Sequence, residues 1–246
     1  MSSAYLLVSH GSRDPRPEIA VQQLAELVKN HFQSNLLTST KCELVGTAYL
    51  ELNPQPLHEQ IKEFCQTANK SGYDRLEILP LFLLAGVHVM EDIPGEVAIA
   101  QQLVGEDIKI DLQPYLGSHP GLQQLLVKQM AKSGNFPDQA WIILTHGSRR
   151  AGSSEQVEAI AHNLGIVAAY WSVALSLESQ VKKLVSAGYK KIGILPYFLF
   201  AGGITDAIAQ KLQELKLQFP TVSFQLAEPL GASAELADLL WDLRNK

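Results

Sequence analysis

The chain repeats part of its own sequence, and this internal duplication constrains the fold more than any other feature. The tetrapeptide HGSR occurs at residues 10–13 and again at residues 146–149. A longer motif, LPLFLLAG at residues 79–86, returns as LPYFLFAG at residues 195–202. Both motifs recur in the same order after apolar runs, so the sequence predicts two homologous halves.

The predicted halves are residues 1–133 and residues 138–246, joined by a short polar segment that contains glycine and proline. Each half alternates short apolar strands with amphipathic helices. This alternation is typical of a parallel sheet covered by helices on both faces. We therefore expect an α/β protein of two tandem three-layer α/β/α domains, each with a four-stranded, mostly parallel sheet.

Composition and charge exclude several classes of function. The formal net charge is −5 and no basic stripe stands out, which argues against a nucleic-acid partner. No apolar run is long enough to span a membrane. The first residues do not read as a secretory signal, so a cytoplasmic protein is expected. The two cysteines, Cys42 and Cys65, lack the spacing of a zinc site and are expected to pack in the interior.

Three residues with metal-ligating side chains follow three predicted strands of the first half. His10 ends the first strand, Glu51 follows the second, and His88 follows the third. In parallel α/β sheets, ligands bind beyond the carboxyl ends of the strands, so these side chains are expected on one rim. Two imidazoles and one carboxylate suit Co²⁺, Fe²⁺, Ni²⁺ or Zn²⁺ better than Mg²⁺ or Ca²⁺. Three protein ligands would leave positions open for exchange.

The second half keeps only part of this set. His146 stands where the first half has His10, but the counterpart of His88 is Ile204. Counting back from the next helix aligns Trp171 of the second half with Glu51 of the first. Metal binding and catalysis are therefore predicted in the first half alone. Taken singly, each first-half residue also has an ordinary interpretation, as a packed histidine, a solvated carboxylate or a helix cap.

Positive and polar groups near the first strand end could bind an anion. Ser12, Arg13 and Arg16 follow the glycine turn after the first strand, and guanidinium groups can clamp carboxylates. The alternative is that the arginines are solvated loop charges. His119 follows the fourth strand and could also approach a bound ligand.

The order and spacing of these motifs resemble the class II chelatases of tetrapyrrole biosynthesis, and more narrowly the long, two-domain sirohydrochlorin chelatases of the CbiX/SirB group. The resemblance rests on residues 9–16, 49–52, 80–88 and 92–94 and covers essentially the whole chain. It implies a chelatase-like fold and a lyase-type enzyme that inserts Co²⁺ or Fe²⁺ into sirohydrochlorin, in cobalamin or sirohaem biosynthesis. Two protons would be released, and neither ATP nor an organic cofactor would be needed.

The resemblance also implies roles for individual residues. His10, Glu51 and His88 would be the metal-handling and catalytic residues. The basic loop after the first strand, with Ser12, Arg13 and Arg16, would contact the anionic macrocycle. Short relatives pair two identical copies, so this chain is expected to act as a monomer, a fused pseudo-dimer. Two alternatives stay open: a metal-binding protein or metallochaperone without turnover, and a ferrochelatase that acts on another tetrapyrrole.

Overall fold

The structure, a computed structural model, describes residues 3–35, 44–134, 138–147, 153–172 and 176–244. The chain divides into two compact units. One consists of residues 1–119 together with residues 232–246, and the other of residues 120–231. No helix in the described ranges is long and apolar enough to cross a membrane.

The first unit contains a four-stranded parallel sheet with the strand order β2-β1-β3-β4. Its strands are β1 (Ser3–Ser9), β2 (Val45–Tyr49), β3 (Arg75–Pro80) and β4 (Lys109–Leu112). Its helices are α1 (Pro15–Asn35), α2 (Leu57–Lys70), α3 (Ile93–Val104) and α8 (Ala234–Leu243). A π-helical turn (His88–Asp92) precedes α3, and a short 3₁₀ turn (Leu116–Ser118) follows β4.

The second unit repeats this sheet in the order β6-β5-β7-β8, again parallel throughout. Its strands are β5 (Ala140–Thr145), β6 (Val167–Tyr170), β7 (Lys191–Pro196) and β8 (Ser223–Leu226). Its helices are α4 (Leu122–Lys132), α5 (Ser153–Leu164), α6 (Leu177–Ser186) and α7 (Gly203–Gln218). Two parallel four-stranded sheets, each flanked by helices, confirm the predicted α/β fold class.

Apolar side chains that alternate along the central strands form the core on one face of the first sheet. Leu6 and Ile78 contribute from the strands, Ile61 from α2 and Val97 from α3. Cys65 of α2 lies in the same cluster, and burial raises the pKa of its thiol to about 12. A thiol held protonated and away from solvent is a packing group, as the sequence predicted for Cys65. Cys42 lies outside the described residues.

The two units exchange the last helix of each sequence repeat. The helix α8 ends the second repeat but packs against α1 in the first unit. The helix α4 ends the first repeat but packs against α5 and β7 in the second unit. The boundaries predicted from the duplication, 1–133 and 138–246, follow chain order, and the compact units differ from them in these helices. Duplication specifies which elements repeat, but not which sheet each closing helix covers.

The exchanged helix α8 is anchored at its C-terminal end by Arg244. The guanidinium group of Arg244 donates a hydrogen bond to the hydroxyl of Tyr5 in β1, at 2.5 Å. It also lies over the Trp241 ring, 3.7 Å from the ring centroid, as in a cation–π contact. The last helix of the chain is thereby tied to the first strand.

Glu77, which lies beside Tyr5 in the sheet, supplies a pH-dependent term to the stability of this unit. Its side chain is 5% exposed, and burial raises its pKa against the opposing effects of Ser3, Arg244 and Arg75. The stabilisation from the protonated form is therefore complete below the unfolded pKa of about 4.5 and is lost as pH rises through the higher folded value.

We expect Glu77→Gln to raise the melting temperature by a few degrees at pH 7, because the amide carries no charge to desolvate. The difference from the parent chain should vanish below pH 4, where both side chains are neutral. Thermal unfolding at the two pH values measures it. A variant that melts lower than the parent at pH 7 would show that Glu77 is stabilising as a carboxylate.

Candidate metal centre

His10, Glu51 and His88 come together at the carboxyl end of the first sheet. One ligand atom from each lies within 4.8 Å of the corresponding atoms of the other two. The Nε2 atom of His10 is 3.7 Å from a carboxylate oxygen of Glu51. The two imidazole rings meet edge to face, with centroids 4.9 Å apart. Among the described residues, this is the one cluster of three such side chains that could share a metal ion.

Solvent reaches the cluster, so a ligand could enter and leave. The side chains of His10, Glu51 and His88 are 50%, 48% and 34% exposed. Two ligands on one ion, each at about 2.1 Å, can be no more than about 4.2 Å apart. The 3.7 Å between Nε2 of His10 and the carboxylate oxygen of Glu51 is within that limit.

The backbone at the end of β1 sets His10 beside Glu51. The amide of Leu50 donates to the carbonyl of Ser9, and the amide of Glu51 donates to the carbonyl of His10, each at 2.9 Å. Gly11 follows with a φ of +96°, and a Cβ atom there would lie 2.0 Å from the carbonyl oxygen of Glu51. Glycine is required at this position because a side chain would push the two ligands apart.

A π-helical turn presents His88. Its wider spacing is closed by a hydrogen bond from the amide of Ile93 to the carbonyl of His88, five residues back. Inside this turn, Nδ1 of His88 lies 2.7 Å from a carboxylate oxygen of Asp92. Asp92 precedes α3 at the position of a helix cap, but its carboxylate makes no capping hydrogen bond. Its partner is the imidazole instead.

Hydrogen bonding leaves the same nitrogen available on both rings. Nδ1 of His10 lies 3.3 Å from the carbonyl oxygen of Gly11, and Nδ1 of His88 faces Asp92. Because carbonyl and carboxylate oxygens accept hydrogen bonds, Nδ1 is the protonated atom in each neutral ring. Each Nε2 then carries the lone pair that can bind a metal ion or take a proton.

The two arginines of the basic loop after β1 differ in their ion pairs. Arg16 forms an ion pair with Asp14, through Nε at 3.0 Å and a terminal nitrogen at 2.5 Å. The hydroxyl of Ser12 accepts a hydrogen bond from the Asp14 amide. Arg13 is exposed and has no ion pair within the described part of the chain. Arg13 is therefore the arginine of this loop whose charge is not already paired in the described part of the chain.

His119, the other candidate of the first unit, is 8% exposed. A side chain this buried has little surface to offer a bound ligand. His119 is thus buried, whereas the three candidate ligands are exposed.

The second unit repeats this backbone arrangement but keeps only His146 at the three positions of the candidate ligands. The carbonyl of His146 accepts from the amide and the hydroxyl of Ser172, as the His10 carbonyl accepts from Glu51. The counterpart of Glu51 is therefore Ser172. The sequence-based match to Trp171 was wrong by one residue, because the loop before the next helix is one residue shorter in the second half. Residues 148–150, including the arginine of the second HGSR motif, lie outside the described ranges.

The contact of Asp92 with His88 was not predicted from the sequence. A histidine and an aspartate four residues apart face the same side of a helical turn, and this spacing was the available signal. This spacing is informative only once the helical turn is known to start at His88.

Two repeated α/β units, with two histidines and a carboxylate on one sheet rim, define a chelatase-like protein with a candidate metal centre. The model of the CbiX family matches this sequence twice, over residues 4–133 and 140–244. The chain belongs to the CbiX family, and the resemblance noted from its motifs is confirmed.

Curated relatives span almost the whole chain. A sirohydrochlorin cobaltochelatase of Priestia megaterium is 24% identical over 96% of this chain and 76% of its own length. A sirohydrochlorin ferrochelatase of the same organism is 26% identical over 96% of this chain and 87% of its own length.

Solved structures share the fold. SirB from Bacillus subtilis with Fe³⁺ superposes with a TM-score of 0.80 at 20% identity, covering 100% of this chain and 95% of SirB. The structure of CbiX, described as the terminal enzyme for biosynthesis of siroheme in denitrifying bacteria, gives a TM-score of 0.63 at 21% identity, with 98% of both chains covered.

Proposed function

We propose that this protein is a sirohydrochlorin chelatase, which inserts Co²⁺ or Fe²⁺ into the macrocycle with release of two protons. The observation that carries the proposal is the cluster of His10, Glu51 and His88 on an exposed rim of the first unit. Support comes from the CbiX family membership and from relatives named for this reaction with either metal. The metal is a substrate, and no organic cofactor is invoked.

The reaction asks the protein to deliver a metal ion and to accept protons from pyrrole nitrogens. We assign delivery to His10 and Glu51, whose facing atoms are 3.7 Å apart. We assign proton acceptance to His88, because the carboxylate of Asp92 on its Nδ1 would stabilise the imidazolium that forms. The same carboxylate holds the ring so that Nε2 stays available for the proton.

The rim also offers the contacts that a flat, polycarboxylate ring needs. Three large apolar side chains are exposed on the segments that carry Glu51 and His88: Leu52 (57%), Val87 (45%) and Met90 (54%). Apolar surface in this position can pack against the face of a macrocycle. Arg13 would bind a peripheral carboxylate, with Ser12 and, after release from Asp14, Arg16 as further contacts.

The direct test is an anaerobic assay of the protein with sirohydrochlorin and Co²⁺ or Fe²⁺ in turn, followed by the absorption spectrum of the macrocycle. Metal-dependent conversion faster than the protein-free rate is expected. Binding of the metal without conversion would favour the metallochaperone alternative. Conversion of another tetrapyrrole in preference to sirohydrochlorin would favour the alternative of a ferrochelatase that acts on that tetrapyrrole. The monomeric state and the cytoplasmic location stay predictions.

Charge reversal at Arg13 tests the anionic contact. We expect Arg13→Glu to raise the KM for sirohydrochlorin about tenfold, since one charge-assisted hydrogen bond becomes a repulsion. Affinity for Co²⁺ alone should change little. Steady-state kinetics and a Co²⁺ titration provide the two measurements. The control is Lys70→Glu, which changes net charge equally at the far end of α2. Equal effects of both variants on KM would refute a specific contact.

A further inference from the structure

The helix α2, which follows the loop bearing Glu51, is capped by a residue of another helix. Its own cap position, Pro56, makes no side-chain hydrogen bond. Instead, a carboxylate oxygen of Glu96 in α3 accepts from the backbone amide of His58 at 2.7 Å. The same oxygen lies 2.8 Å from Nδ1 of the His58 ring. One carboxylate thus satisfies an otherwise unpaired helix-start amide and orients a side chain.

The second unit makes a link at the equivalent place with different chemistry. The helices α2 and α6 begin at matching leucines, so His58 corresponds to Glu178. The buried residues Ile93 and Ile208 match in α3 and α7, so Glu96 corresponds to Lys211. The side chains of Glu178 and Lys211 form an ion pair at 3.2 Å.

The two links differ in what they hold. In the second unit the helix start has its own cap, because the Ser176 side chain accepts from the Ser179 amide. The ion pair there joins two side chains and leaves the helix start to Ser176. In the first unit the helix start itself depends on Glu96. Only there does the link bear on the position of the preceding loop.

That loop and the π-helical turn carry the candidate ligands. Glu51 lies six residues before the start of α2, and His88 begins the turn that continues into α3. Glu96 is eight residues beyond His88, or about 12 Å along a helix. The link from Glu96 to His58 therefore ties the segment that holds one ligand to the segment that holds another.

We propose that Glu96 and His58 form a positioning pair that sets the separation of Glu51 from His88. The inference rests on the proposed function, since it concerns the same centre. The atoms of the three candidate ligands all lie within 4.8 Å of one another, and two ligands of one ion are at most about 4.2 Å apart, so metal affinity depends on keeping Glu51 close to His88. Loosening the loop would add the entropic cost of fixing Glu51 on the ion, as with the loss of other groups that orient metal ligands.

The experiment compares Glu96→Ala with the matched substitution Lys211→Ala, using Co²⁺ alone as the probe. We expect Glu96→Ala to weaken Co²⁺ binding about tenfold or more and to lower kcat, an effect of the size seen for orienting residues of metal sites. Lys211→Ala should leave both unchanged. The variant Glu96→Gln keeps an acceptor oxygen at the same reach, so it should recover most of the Co²⁺ affinity.

Thermal unfolding of all three variants separates positioning from simple destabilisation. If Glu96→Ala lowers the melting temperature but leaves Co²⁺ affinity at the parent value, the link is structural and the inference is overturned. Equal losses of affinity in Glu96→Ala and Lys211→Ala would overturn it as well. A parent protein that binds Co²⁺ but does not metallate sirohydrochlorin would contradict the proposed function instead, and the affinity comparison would still decide the role of Glu96.

Discussion

Replacing His88 by alanine should abolish metal insertion while both units stay folded. The expected loss in turnover is about 10²- to 10⁴-fold, the usual contribution of a positioned proton acceptor. Two features argue that the fold will survive. The side chain is 34% exposed, and its hydrogen bond is to Asp92 in the same turn. His10→Ala should be as severe, because it removes the ligand that faces Glu51.

Initial rates with sirohydrochlorin and Co²⁺, together with circular dichroism and a melting curve, test this expectation. The chain supplies its own control in His146, the exposed counterpart of His10 in the second unit. His146→Ala should retain the parental rate, because the matching positions there are Ser172 and Ile204. Turnover retained in both His10→Ala and His88→Ala would remove the catalytic assignment altogether.

The separate roles of His10 and His88 can be tested with the same two alanine variants. If His10 delivers the metal and His88 accepts the proton, His10→Ala should lose more Co²⁺ affinity in the absence of the macrocycle. His88→Ala should keep more of that affinity but lose turnover. The reverse pattern would exchange the two roles without moving the site.

The clustering of the three candidate ligands could be predicted from sequence because a parallel sheet leaves few choices. Each lies at or after the carboxyl end of an apolar strand, and these ends share one rim whatever the details of packing. The duplication added the second signal, since Ile204 in the other copy marked His88 as a difference between otherwise similar halves. The same reasoning did not require any side-chain geometry, which is why it could place His10, Glu51 and His88 on one rim; their role as ligands stays a prediction.

Asp92 and Ser172 were harder, because each depends on a single residue of local spacing. An aspartate just before Ile93 and Pro94 is a common helix start, but the π-helical turn makes Asp92 part of a continuous helix with φ of −67°. Its carboxylate then reaches back to His88. For Ser172, a loop shorter by one residue shifted the alignment. Neither the π-helical turn nor the shorter loop changes the spacing of apolar residues, so neither could be predicted from that spacing.

The exchange of closing helices could not be predicted, because the two helices carry the same buried pattern. Leu122 and Leu126 of α4 have the spacing of Leu236 and Leu240 of α8, and all four are at most 2% exposed. This pattern alone does not assign either helix to either sheet. The choice is made by the path of the chain and by specific contacts, such as the hydrogen bond from Arg244 to Tyr5.

Leu240→Ala should therefore destabilise the first unit, although Leu240 belongs to the second repeat. Loss of a fully buried leucine costs about 2–5 kcal/mol, and for Leu240 this falls on the unit that holds the candidate metal centre. Leu126→Ala is the matched substitution, with the same chemistry and the same 0% exposure in α4. It should destabilise the second unit.

Hydrogen exchange resolved by peptide distinguishes the two outcomes. In Leu240→Ala, protection should fall in β1 and β3 and affinity for Co²⁺ should weaken, because the first sheet opens more often. In Leu126→Ala, protection should fall in β5 and β7 while Co²⁺ affinity stays near the parental value. The opposite pattern would mean that each repeat closes on its own helix. The expected pattern would make the candidate centre, whose ligands all lie within the first 88 residues, dependent on the last helix of the chain.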